Sequence, residues 1–232
     1  MTRSLKKAVI DDGMSSELVE TAFFDGLLEM PIIEPPKEIV IPTGMIPFSI
    51  REKTDNFSET VNFHEHDVKF REILISPDDF VEDIRRFKGG MTTPDNSLYW
   101  DAPLVAQMTN VYRNRAVGHY FQLKGIPVIT TVRWGDARSY TTKYLPEKFA
   151  FLGAPKHSIV SVGTYGCIPD KEAKRHMEAG FESMLETLQP TVVLIYGAMP
   201  KSIFARFEND TRLINYPDWI TLKKGGKSNG ND

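Results

Sequence analysis

Only one cysteine, Cys167, occurs among the 232 residues. That excludes an internal disulfide and any zinc or iron–sulfur site built on several cysteines, and it fits a reducing compartment. No apolar run approaches the roughly 18 residues of a membrane span. The opening MTRSLKKAVIDDG carries charge without a long apolar core, so a cytoplasmic protein is expected rather than a secreted one. Positive charge is not in surplus either. Against 31 Asp and Glu stand 28 Lys and Arg, a formal net charge of −3, which leaves no global basic field for nucleic acid. Gly-rich dinucleotide fingerprints and nucleophile-elbow motifs are missing. Gly225-Gly226-Lys227-Ser228 imitates the end of a phosphate-binding loop, but the earlier glycine such a loop needs falls at Thr221.

What is present is an alternation of strand and helix signals. Residues 1–44 read as an appendage. Leu18, Val19, Ala22 and Phe23 recur at helical spacing after Ser15-Ser16, and a proline-rich extended arm follows. Residues 45–222 read as one α/β domain, and 223–232 as a disordered tail. Thr60–His66 alternates as a strand should, with Val61 and Phe63 on one side and Asn62 and His64 on the other. Ser76-Pro77-Asp78-Asp79 marks a helix start. The aromatic, basic stretch 137–157 is long for a connection and reads as a lid or binding segment.

The central unit is the most informative. Asp101-Ala102-Pro103 opens a long helix that Gly125 stops, and Val128–Val132 follows as a strand of β-branched residues. A strand, a crossover helix and a second strand buried on both faces imply parallel pairing. With Ser158–Val162 and Thr191–Ile195 added, the expectation is an α/β protein. Its mainly parallel sheet would have about six or seven strands joined by crossover helices, barrel-like or doubly wound.

The run TPDNSLYWDAPLVAQMTNVYRNRAVGHYFQLKGIPVITTVRWGD, the later SVGTYG and LIYG resemble the domain-of-unknown-function 4417 family of bacterial, phage and mobile-element proteins. The resemblance runs from about Met45 to Gly197. It implies a phage or mobile-element origin, with the host cytoplasm as the place of action. The family brings no established activity, so no catalytic residue is carried over from it.

Candidate site residues therefore come from chemistry and placement. Sheets of this kind put their sites at the carboxyl ends of the strands, where Asp95, Arg133, Asp136, Thr164, Tyr165 and Tyr196 fall. Asp95 and Asp136 are the acid/base candidates and Arg133 the clamp for an anion or substrate. Each also has a plain structural reading, Asp95 as part of a PDNS turn and Asp136 as a partner of Arg133 or Arg138. Trp134, Tyr165 and Tyr196, with Thr164, would wall a ring-shaped ligand, and Asn114 in the YRNR run is a phosphate-contact candidate. His64 and His66, about 7 Å apart on one strand face, are the metal-ligand candidates for a divalent ion. Cys167, beside apolar Ile168, reads as a buried thiol. Function stays open between two classes. One is an enzyme acting on a nucleotide, nucleic-acid or glycosidic substrate by hydrolysis or group transfer. The other is a non-catalytic protein that binds a host or phage protein. No membrane partner is expected.

Overall fold

A computed structural model of the chain describes residues 14–164, 167, 168 and 170–228, with backbone alone for 224–228. Seven strands lie side by side in the order in which the chain makes them. They are β3 (Met45–Pro47), β4 (Thr60–Asn62), β5 (Met91–Thr92), β6 (Val128–Thr131), β7 (Ile159–Gly163), β8 (Val192–Tyr196) and β9 (Arg212–Tyr216). Every neighbouring pair is parallel. Parallel strands joined repeatedly by crossovers of one hand advance in one direction, and the sheet curls into a half-barrel. The doubly wound alternative is thereby excluded: the strand order never reverses, so the sheet has no switch-point crevice.

Two long helices carry the outer layer. Helix α3 (Leu104–Leu123) joins β5 to β6, and α5 (Lys171–Leu188) joins β7 to β8. Asp170 caps α5 by accepting hydrogen bonds from the Glu172 and Ala173 amides. Met177, Phe181, Met184 and Leu188 then recur on one side of α5 and are buried. The remaining helices are short: α1 (Arg71–Ile75), α2 (Val81–Arg85), α4 (Ala137–Tyr140) and α6 (Lys201–Phe204), with α7 (Trp219–Ser228) after the last strand. Ser76 makes no side-chain cap, and the helix expected after it starts as a 3-10 turn, Pro77–Phe80.

Strand alternation decides which side chains face where. Val160 and Val162 pack with Phe181 and Met184 toward the helices, whereas Ile159 joins Ile129, Val192, Leu194 and Tyr196 on the other face. Ser161 and Gly163 therefore share that inner face with Tyr196. Ile39 and Ile41 of the extended arm pack against it.

Two expectations change. Residues 16–31 form a 3-10 turn, Ser16–Val19, and a hairpin of β1 (Phe24–Asp25) with β2 (Met30–Pro31), not a helix. Tertiary partners set this turn: Gly26 has φ +69°, the Leu27 amide donates to the Glu147 carboxylate, and Asp25 accepts from the Gly153 amide. The 137–157 stretch is anchored by buried Tyr140, Phe149 and Phe151 and keeps Thr142, Lys143, Tyr144 and Pro146 exposed, as a surface segment over the domain would. The stretch read as a tail from Lys223 starts inside α7. Among the described residues, no helix is long and apolar enough to cross a membrane.

Candidate functional site

The end of β4 and the segments after β5 and β6 meet at one carboxylate. Asp95 accepts two hydrogen bonds from Arg133, from Nε and Nη2, each at 2.5 Å. It also accepts one from His64 Nδ1 at 2.8 Å. A carboxylate can only accept, so Nδ1 carries a proton, and on the other side of the ring Nε2 is hydrogen-bonded to the Ser161 hydroxyl, 2.7 Å away. Asp95 and His64 are 1% exposed at their side chains and Arg133 is 22% exposed, so the ion pair lies inside the fold with one edge of the guanidinium open. Burial alone would raise the Asp95 carboxyl. The charge and hydrogen bonds of Arg133, and then those of His64, overcome it and hold the group well below the usual carboxylate range. Burial also works against the charge on Arg133, but Asp95 and then Cys167 keep the guanidinium protonated.

Ser161, His64 and Asp95 are linked in the order of a hydrolytic triad. The resemblance stops at access. Ser161 is fully buried and takes no part in the wall of the adjoining cavity. The chain of bonds braces the strand ends. Gly163 is part of that brace, because a Cβ there would stand 2.5 Å from His64 Nδ1 and 3.0 Å from Asp95 Oδ2.

Above the brace opens a cavity of about 320 Å³, walled by His64, Asp95, Arg133 and Trp134 and, on the α5 side, by Asp170, His176 and Met177. Trp100, half exposed, lies parallel to the His176 ring with centroids 6.4 Å apart. His176 is held through Nδ1 to the Tyr140 hydroxyl at 3.1 Å. Cys167, expected to be buried, is half-buried on the cavity wall and receives a hydrogen bond from Arg133 Nη1 at 2.9 Å. Arg133 thus spends three of its five N–H groups on Asp95 and Cys167.

The other candidates divide. Trp134 is on the wall but is pinned by its indole N–H to the His176 carbonyl at 3.0 Å. Asp136 is off it: its carboxylate caps α4 through the Arg138 amide and pairs with the Arg138 side chain. Asn114 is buried beneath, donating to the Pro94 and Thr131 carbonyls at 2.7 and 3.3 Å. Thr164 donates to the Ala198 carbonyl at 2.6 Å. Tyr165 lies outside the described residues. Tyr196 stacks on His64 and lines a second, smaller hollow, and burial pushes its hydroxyl up to about 12.

Metal binding at His64 and His66 is a poor fit. Both ring nitrogens of His64 are engaged, and His66 is exposed beyond the end of β4. Among the described residues, no three or more His, Cys, Asp or Glu are grouped to hold an ion. Reading the sequence missed Trp100, His176 and Gly163. The first left a signal, an exposed aromatic pair, Tyr99-Trp100, just ahead of α3. His176 left none, because only the fold brings α5 to this mouth.

A family model described as "Domain of unknown function (DUF4417)" matches residues 22–217. The Gene 1 proteins of Mycobacterium phages L5 and D29 are each 30% identical to the chain over 139 residues, 60% of its length. The matched part is 57% of the L5 protein and 48% of the D29 protein, so the chain spans about half the length of these curated relatives. No solved structure matches.

Proposed function

The chain belongs to the domain-of-unknown-function family DUF4417, and from that premise we propose an enzyme that binds a planar ring-bearing substrate, a nucleotide or nucleic-acid end, in its strand-end cavity. One observation carries the reading. A guanidinium fixed on Asp95 keeps N–H groups to spare at a cavity whose rim holds the half-exposed Trp100. An arginine so held is pre-organised for phosphate or carboxylate, and an aromatic rim suits a base.

The roles shift from those expected of the residues alone. Asp95 orients and neutralises and is a poor proton carrier, since its oxygens are committed and it stays ionised. Asp136 is off the cavity wall. Proton transfer in a hydrolysis or group transfer would fall to His66, His176 or Cys167, which line it. Titration calorimetry with AMP, and with a methyl glycoside to represent the sugar class, tests the reading. Saturable AMP binding is expected, weakened about tenfold by Trp100→Ala through lost stacking. Binding of the glycoside alone, or AMP binding indifferent to Trp100→Ala, would overturn it.

A second reading rests on the β1–β2 hairpin, which holds Phe23 and Leu27 76% and 77% exposed. Such a knob suits a protein partner. The double variant Phe23→Ser, Leu27→Ser should leave AMP binding unchanged under the first reading and abolish partner capture under the second.

A further inference from the structure

We infer that the site takes two consecutive nucleotidyl units, the second seated in the hollow beneath α7; this rests on the nucleotide reading of the strand-end cavity. The hollow, of about 100 Å³, has an apolar side of Pro47, Ile50, Tyr196 and Trp219, and it shares His64, Glu65 and His66 with the larger cavity. Those three residues form a ridge with a cavity on either side.

The ridge is fixed. His64 is bonded through both ring nitrogens. Glu65 accepts from the Ser49 amide at 2.9 Å, the Ser49 hydroxyl at 2.5 Å and Lys69 at 3.2 Å. A ligand reaching both cavities must cross over the ridge, because these bonds hold it in place. A phosphodiester crossing there would meet His66, which is exposed, and the ammonium of Lys69, half exposed and with N–H groups left beyond its bond to Glu65. The two carboxylates beside the hollow are otherwise occupied. Glu65 serves Ser49 and Lys69, while Asp218 accepts from the Ile220 and Thr221 amides and the Thr221 hydroxyl. Trp219 offers a stacking surface in the hollow, and the Lys223 ammonium lies 5.2 Å from its ring centroid. Aromatic surface on both sides of a ridge, with the Lys69 ammonium on its hollow side, matches the base–phosphate–base pattern of a dinucleotide.

Calorimetry with the full chain compares AMP with the dinucleotide ApA. ApA should bind about tenfold more tightly than AMP, as one added base stack predicts. Trp219→Ala should remove that advantage and leave AMP binding unchanged. Ile220→Glu, at a half-exposed position beside the hollow, should do the same and covers the case in which Trp219→Ala unfolds the chain. AMP binding with no gain for ApA, or a gain that survives both substitutions, would overturn the two-unit site while leaving the cavity reading standing. Failure of AMP itself to bind would overturn both.

Discussion

Asp95 holds two groups at once, and the consequence is measurable. Removing its charge in Asp95→Asn leaves Arg133 in the fold without its counter-ion, which costs about 3–5 kcal/mol in typical buried pairs; urea denaturation reads it directly. The pH dependence follows from the lowered carboxyl. Its contribution is complete above the unfolded value of about 3.9 and is lost as pH falls through the folded value. Wild type should therefore lose stability below about pH 4 more steeply than Asp95→Asn does, and coincident acid limbs would count against the pair. Gly163→Ala tests the same brace sterically. Its methyl would sit 2.5 Å from His64 Nδ1, an overpacking worth about 1–3 kcal/mol, and AMP binding should weaken with it.

Among the elements, regular ones were legible and tertiary ones were not. Val128–Thr131 is β-branched throughout and became a buried strand, and the Pro103-to-Gly125 punctuation bounded α3 closely. The YRNR run was readable as a polar row but not as a hub. Arg115 is buried and donates to the carbonyls of Thr131, Ala150 and Leu152, partners that no spacing in α3 announces. The hairpin failed for the same reason: its apolar spacing is helical, yet its turn is set by Glu147, which is 120 residues away in sequence. Gly26→Ala forces a side chain into a left-handed backbone and to within 2.7 Å of that carboxylate. We expect about 1–3 kcal/mol of destabilisation and faster chymotrypsin cleavage at Phe23 and Phe24. An unchanged cleavage rate would mean that Glu147 does not hold the turn.

For the whole molecule, seven consecutive parallel strands gather side chains far apart in sequence at one end of a half-barrel. That polar side chains and a cavity gather at the strand ends was therefore legible from alternation alone. Which side chains line that cavity was not, because it depends on which face each strand end turns inward. Asp95 and Arg133 met there, while Asp136 turned to Arg138. With a net charge of −3, attraction for a nucleotide chain is local. The logarithm of ApA affinity should fall against the logarithm of salt with a slope of about −0.7, as for one single-strand phosphate; a slope several times steeper would indicate a basic track instead. The most direct test of the cavity itself uses the three tryptophans, Trp100, Trp134 and Trp219, whose indole N–H signals separate in a nitrogen–proton NMR spectrum. Added AMP should move the Trp100 signal in a saturable way and leave Trp219 and the amides of residues 23–28 in place. Saturable shifts confined to the hairpin amides, or no shift at Trp100 at millimolar AMP, would contradict a nucleotide site at the strand ends.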